Sequence, residues 1–287
     1  MNGKVRHSLR LTAMLYLLDY GAGNIQSLAN SLTKLGYTYE WVREPSDISK
    51  ADKLLFPGVG SFASAMDALH AKGYVEPLRA YIQSGKPLMG ICVGMQVLFE
   101  GSDESPGVQG LGIVPARVGR FASQDAFGRK AVPHMGWSLA NVVEWDGCAD
   151  QRHELAKSYG MHDANPSHYY FVHSYRVAWD ANVAEWALTT TQYGNEIFVS
   201  SIQHANVFAT QFHPEKSGQA GLDLLAAWLQ LEHVEPTTRV GRPVSSTEHM
   251  PTRRIVACLD VRSNDAGDLV VTKGESYDVR ERGEQDA

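Results

Sequence analysis

Pro87-Leu88-Met89-Gly90-Ile91-Cys92-Val93-Gly94-Met95-Gln96 joins an apolar run to a cysteine flanked by glycines. The apolar run predicts a buried strand, and the glycines predict a sharp turn into a helix opening at Met95 and running through Phe99. A side chain held in a strand-to-helix turn stands at a helix N-terminus, where a thiolate is stabilised and a nucleophile belongs. A lone buried cysteine is ordinarily inert packing. The glycines and the strand-to-helix setting point instead to Cys92 as a nucleophile.

Other apolar runs before this turn also alternate with helical patterns. Leu15–Leu18 predicts a first strand, Tyr37–Val42 a second and Lys53–Phe56 a third. Ile25–Leu35 carries apolar Ile25, Leu28, Ala29, Leu32 and Leu35 at helical spacing, with Gly36 as its stop. Phe62–Leu69 and Val75–Ser84 read as further helices. This alternation predicts an α/β fold with a parallel sheet. Pro57-Gly58-Val59-Gly60 ends the third strand, so it emerges at the same sheet edge as Cys92. Its glycines can turn backbone N–H groups toward a developing oxyanion, where one donor contributes roughly 3 kcal/mol.

Further along, residues 111–206 carry β-type runs (Tyr169–Val172, Trp186–Thr191, Ile197–Ile202), followed by Val207–Gln211. An antiparallel or mixed extension of the sheet is expected there. Gln211-Phe212-His213-Pro214-Glu215 then places a histidine and a carboxylate at a strand end, one proline apart. In α/β folds that is where ligands sit. Glu215 can fix the imidazole tautomer while the other ring nitrogen faces a thiol, so Cys92, His213 and Glu215 form a candidate triad. Ala220–Leu231 predicts a last helix with Leu222, Leu225, Ala226 and Leu229 at helical spacing. His134, His153, His162, His168, His173 and His204 show no ligand spacing with one another or with Cys148, and no metal site is expected. Asp19–Asn24 is glycine-rich but lacks the Lys-Ser/Thr ending of a phosphate loop. Tyr169–Phe171 is expected in the core.

The 287 residues are 44% apolar and 20% charged, and the net charge is -6, so nothing favours nucleic acid or an anionic membrane surface. Three cysteines, Cys92, Cys148 and Cys258, are too scattered for a disulfide framework and fit a reducing, cytoplasmic setting. Lys4, Arg6 and Arg10 before Leu15–Leu18 loosely imitate a signal peptide, but the run is short and no cleavage site follows. Residues 1–13 therefore read as an extension, and Met14 as an alternative start.

With Cys92 in its turn, His213-Pro214-Glu215 and Pro57–Gly60, the chain resembles class I glutamine amidotransferases. Asp19–Asn24, Pro133-His134-Met135-Gly136-Trp137, Tyr170–Tyr175 and Ala209–Ser217 narrow the resemblance to the glutaminases of imidazole glycerol phosphate synthases, over residues 14–231. Ser138 stands where that family suggests Asn. Arg253–Val261 and Leu269–Gly274 resemble the start of the cyclase barrel of the same enzymes, as in the fused form. The resemblance implies a central, mostly parallel or mixed sheet flanked by helices over 14–232 and an incomplete N-terminal piece of a (β/α)₈ barrel over 253–287; between them, residues 233–252 turn to Pro, Thr, Ser, Gly and charge without apolar periodicity and read as a linker. A whole barrel takes about 250 residues, so the chain reads as a fragment or truncated product.

For the site, the resemblance implies that Cys92 attacks the amide of glutamine, with His213 as base and acid and Glu215 orienting it. Gly58, Val59, Gly60 and Val93 would hold the oxyanion, and Gln96, His173, Ser174 and Tyr175 the glutamine. Lys216 would face the barrel. Asp260 matches the first of two cyclase aspartates, and Lys273 a cyclase substrate-binding lysine. No cofactor is implied. The partners implied are glutamine and, through the barrel, phosphoribosyl-formimino aminoimidazole carboxamide ribotide. Two alternatives stay open: the glutaminase of another pathway, and a non-catalytic binding module. The linker and Ile255–Leu259 are expected to be poorly ordered, and the chain alone is expected to have low basal activity.

Overall fold

The computed structural model describes residues 13–21, 25–126, 128–145, 156–161, 168–231, 241–242, 260–263 and 269–272. The chain divides into two units, at residues 248 and 249.

In the first unit, β1 (Leu15–Leu18), β2 (Glu40–Val42), β3 (Lys53–Gly58) and β4 (Leu88–Cys92) pair in parallel in the order β2-β1-β3-β4. β1, β3 and β4 are buried along their whole length, which is why, after Lys53 at the start of β3, they are near-continuous apolar runs rather than alternating ones. Helices α1 (Ile25–Lys34), α2 (Pro45–Lys50), α3 (Phe62–Ala71) and α4 (Val75–Gln83) connect them. The buried face of α1 is Ile25, Leu28, Ala29 and Leu32 with Ser31, and Gly36 follows at φ +81, the left-handed conformation that ends a helix. Helix α2 was not apparent from apolar spacing. It is held by a capping box between Glu44 and Asp47 and by Pro45 in its first turn.

Only α5 (Val93–Gln96) follows β4. The expected helix through Phe99 is therefore corrected: Phe99–Ser102 is strand β5, parallel to β6 (Val114–Arg120). Met95, Val97, Leu98 and Phe99 are all fully buried, so the run has no polar face to reveal its period. Gly110 packs its backbone against Phe99, where a methyl would sit 2.1 Å from the Phe99 carbonyl oxygen.

Beyond β6 the pairing turns antiparallel. β7 (His134–Leu139) pairs with β9 (His168–His173) as a separate ribbon. β8 (Asn141–Val142), β10 (Tyr175–Ala178), β11 (Ala187–Tyr193), β12 (Glu196–His204) and β13 (Val207–Thr210) complete an eleven-stranded mixed sheet. β13 joins the two halves of the sheet by lying parallel to β4 on one side and antiparallel to β12 on the other. This sets the end of β13 beside Cys92.

Helix α6 (Gly218–Gln230) buries Gly221, Leu224, Leu225, Trp228 and Leu229, a face turned from the Leu222–Ala226 stripe read from spacing. Its last carbonyls accept from Lys53, a buried lysine at the start of β3 whose Nζ meets the carbonyls of Trp228 (3.2 Å), Leu229 (2.6 Å) and Leu231. Within the stretch read as linker, Gly241–Arg242 pairs antiparallel with Glu144–Trp145.

The second unit shows Asp260–Ser263 paired antiparallel with Leu269–Thr272. Ile255–Leu259 and Lys273 lie outside the described residues, as do Ala22, Gly23, Asn24, Cys148, His153, His162 and Cys258.

Candidate active site

Cys92 is both the last residue of β4 and the N-cap of α5, at φ +56 and ψ -111. A non-glycine residue in such a conformation costs about 1–3 kcal/mol and persists only where its surroundings hold it. Here three glycines do so. Gly58 pairs with Cys92 across β3 and β4, and a methyl on Gly58 would lie 2.4 Å from the Gly94 nitrogen. One on Gly94 would lie 2.0 Å from the Phe56 carbonyl oxygen, and one on Gly90 2.7 Å from the Gly94 oxygen. The turn thus packs backbone on backbone, and the Cys92 side chain is lifted out of the strand, in a residue only 5% exposed.

His213 follows β13 and is anchored by its own backbone. Its N–H donates to the Tyr170 carbonyl (2.9 Å), and its carbonyl accepts from Ser217 Oγ (2.6 Å), which in turn accepts from the Tyr170 N–H (2.9 Å). Pro214 then starts a single 3₁₀ turn, Pro214–Lys216, that brings Glu215 back so that its Oε1 lies 2.7 Å from His213 Nδ1. Gly221 of α6 permits the close approach of that turn, since a methyl there would fall 1.8 Å from the Pro214 oxygen. With Nδ1 engaged by Glu215, Nε2 is the ring nitrogen left for the Cys92 side chain, whose proximity acts on the imidazole. Burial disfavours the imidazolium, but the Cys92 charge and hydrogen bond, followed by those of Glu215, outweigh it and push His213 up to about 10. The structure thus brings Cys92, His213 and Glu215 together as one connected set.

The other sequence candidates divide. Val59 is half-buried and Gly60 exposed at φ +93, beside the Gly58–Cys92 pair, while Val93 is the first residue of α5. Gln96 is buried, and its Nε2 donates to the Tyr175 carbonyl (3.1 Å) and to Gln211 Oε1 (2.9 Å). His173 is buried with Nδ1 on the same Tyr175 carbonyl (2.8 Å), and the Ser174 carbonyl accepts from the Phe121 N–H (3.1 Å). Lys216 is exposed at the end of the turn that carries Glu215. Asp260 starts a strand of the second unit.

Three residues escaped the sequence reading. Gln211, fully buried, donates from Nε2 to Cys92 Sγ at 3.7 Å. A glutamine closing an apolar strand next to the candidate histidine was the available signal. Tyr20, 2% exposed, has the Val59 backbone N–H beside its hydroxyl, with no hydrogen bond of regular geometry among the described residues. Burial, opposed by that N–H and reinforced by the charges of Cys92 and Asp19, pushes Tyr20 up to about 12. His134 is the third; its ring lies against His173.

Among the described residues no group of three His, Cys, Asp or Glu side chains converges as a metal site would require, and no helix is long and apolar enough to cross a membrane.

The class-I glutamine amidotransferase family profile matches residues 16–229. The chain is 47% identical over 276 residues to imidazole glycerol phosphate synthase hisHF of Emericella nidulans, covering 95% of this chain and 48% of that protein. It is 41% identical over 218 residues to imidazole glycerol phosphate synthase subunit HisH of Methanothermobacter thermautotrophicus, covering 76% of this chain and 98% of that one. The chain thus spans about half the length of the fused relatives and nearly all of the separate subunit. Among solved structures, PurLQS from Thermotoga maritima superposes with a TM-score of 0.55 at 16% identity, over 76% of this chain and 98% of that chain, a likeness of fold.

Proposed function

The chain belongs to the class I glutamine amidotransferase family, alongside the HisH-type glutaminases of imidazole glycerol phosphate synthases, and from this premise we propose that it hydrolyses glutamine through a thioester on Cys92 and releases the ammonia for a cyclase barrel. The observation that carries the reading is the set itself: a strained, glycine-packed cysteine that acts on the charge of a neighbouring histidine, whose Nδ1 is held by Glu215 at 2.7 Å.

Cys92 sulfur attacks the amide carbon of the glutamine side chain, and the carbonyl oxygen takes the negative charge. N–H groups of Val59, Gly60 and Val93 are the proposed donors to that oxygen. His213, protonated beside the sulfur, gives its proton to the departing nitrogen, so ammonia leaves and a γ-glutamyl thioester remains. Water then attacks the thioester, His213 takes a proton from it, and glutamate departs as the sulfur is released. Glu215 keeps the imidazole in one tautomer through both steps. Gln96, His173, Ser174 and Tyr175 are the proposed glutamine contacts.

The cyclase side extends the proposal. Ammonia would convert phosphoribosyl-formimino aminoimidazole carboxamide ribotide to imidazole glycerol phosphate in histidine biosynthesis, with Asp260 and Lys273 belonging to the barrel and Lys216 facing it. A reducing cytoplasm would suit a reactive cysteine. A glutaminase assay on the chain, with and without a separately supplied cyclase barrel and its ligand, tests both parts. Turnover that requires Cys92 and rises with the barrel is expected. Equal turnover by wild type and Cys92→Ala would remove the nucleophile assignment, and no increase with the barrel would remove the partner.

A further inference from the structure

We infer that Ser138 and His134 are positioning residues of the glutaminase site, the outer members of a buried hydrogen-bond network that ends on the Cys92 sulfur. The inference rests on the reading of Cys92 as the nucleophile and adds two residues that act on it through others.

The network begins in the β7–β9 ribbon, where His134 and His173 are direct cross-strand partners. His134 Nδ1 lies 3.3 Å from His173 Nε2, and His134 Nε2 lies 3.0 Å from Ser138 Oγ. Gly136 stands between His134 and Ser138 at φ +140 and leaves that face free of a side chain. Inward, His173 Nδ1 meets the Tyr175 carbonyl at 2.8 Å. Gln96 Nε2 donates to the same carbonyl and to Gln211, and Gln211 Nε2 reaches the sulfur. His134, His173, Gln96 and Gln211 are between 0% and 6% exposed.

The Tyr175 carbonyl decides every proton in this network, because it can only accept. A neutral imidazole has one N–H, and burial keeps both rings neutral, pushing His173 down to about 3 and His134 to about 2. His173 must therefore carry its proton on Nδ1, which leaves Nε2 bare. His134 must then present an Nδ1–H to that bare nitrogen, and its own Nε2 must accept. Only a donor can face it, and the Ser138 hydroxyl is that donor. On the other side of the carbonyl, Gln96 gives one N–H to Tyr175 and one to Gln211 Oε1, so the amide nitrogen of Gln211 is turned to the sulfur. One proton arrangement satisfies all of these contacts, and Ser138 sets its outer end. Around it, Phe171 and Tyr193 stack on His134 with ring centroids 5.0 and 4.2 Å away, which keeps the ring from swinging out. Ser138 is next in sequence to Trp137, 48% exposed, so the network joins an outward ribbon to the thiol.

The test uses two substitutions of equal size in the full chain. Ser138→Asn keeps an N–H for His134 Nε2. Ser138→Asp offers only acceptors, and forces a proton onto His134 Nε2; its Nδ1 then either opposes the bare His173 nitrogen or keeps its proton at the cost of a buried charge. Nitrogen-15 NMR of the histidine side chains should show Nδ1–H tautomers for His134 and His173 in the wild type and in Ser138→Asn, and a protonated Nε2 on His134 in Ser138→Asp. Glutaminase kcat/KM should stay within about twofold for Asn and fall roughly tenfold or more for Asp, with kcat carrying the loss. Nε2–H tautomers in the wild type, or equal activity of the two variants, would overturn the inference. If the wild type and Cys92→Ala were equally inactive, the glutaminase reading would fall instead, and the tautomers would still decide the network.

Discussion

The parallel and antiparallel halves of the sheet build the site by different means. On the parallel side, β1, β3 and β4 are buried throughout and, Lys53 apart, apolar, and chemistry arises where backbones touch: Gly58, Gly90 and Gly94 press the turn together and Cys92 takes a conformation that side chains avoid. On the antiparallel side polar side chains enter the interior: Thr189, Thr190, Ser200, Ser201 and Gln203 are buried in the sheet, and His134 and His173 in the ribbon beside it. The nucleophile is therefore a product of backbone packing, while its orientation is a product of side-chain hydrogen bonds. His213 stands where the two halves meet, at the end of the strand that pairs with both.

That contrast can be broken at three points of decreasing effect. At the junction, Glu215→Gln keeps the shape of the side chain but no longer holds the imidazolium. Glutamine turnover should fall on the order of 10³- to 10⁴-fold with little change in substrate binding; a loss confined to KM would mean that Glu215 does not orient His213. On the parallel side, Gly94→Ala pushes a methyl into the Phe56 carbonyl, and backbone cannot yield as a side-chain tip does. A loss of about 3 kcal/mol or more in urea unfolding is expected. A variant as stable as the wild type would mean that the turn is not held by backbone packing. On the antiparallel side, Glu196 accepts from Lys130, from the Ala122 N–H at 2.9 Å and from Arg176 at 2.6 and 3.1 Å. Burial alone would raise its carboxyl, but Lys130, Arg176 and the Ala122 N–H outweigh burial and hold it below the ordinary 4.5. A carboxyl lowered in the fold adds stability above its unfolded value and loses it as the pH falls through its folded one. Glu196→Gln should cost about 1–3 kcal/mol at neutral pH, and the gap to wild type should close below pH 4.5. A gap that does not change with pH would remove the charge from the explanation.

The same division explains what could be read in advance. The parallel strands, Gly36 as a helix stop, the Cys92 turn and the His213-Pro214-Glu215 segment follow local rules of spacing, and the family resemblance names their roles. The Phe99 stretch misled because Met95, Val97, Leu98 and Phe99 are all buried, so their apolar letters show no period that would tell a helix from the lead into a strand. The Leu222 stripe misled by one step of rotation, because Trp228 outweighs Ala226 in what α6 buries. The His134–His173 pair could not be read from spacing, because partners 39 residues apart meet only once the ribbon has set its register. Gln211 was hidden in a similar way: its neighbours Gln96 and Cys92 lie on another strand-to-helix unit, at separations of 115 and 119 residues.

The central claim is that Cys92, activated by His213, is the residue that bonds to glutamine. A glutamine analogue bearing an electrophilic carbon in place of the side-chain amide, followed by mass spectrometry of the digested chain, tests it directly. One adduct on Cys92 is expected, formed at neutral pH, protected by excess glutamine and slowed in His213→Asn, with Cys148 and Cys258 unmodified. An adduct on another residue, or labelling of Cys92 that glutamine does not protect, would contradict the account.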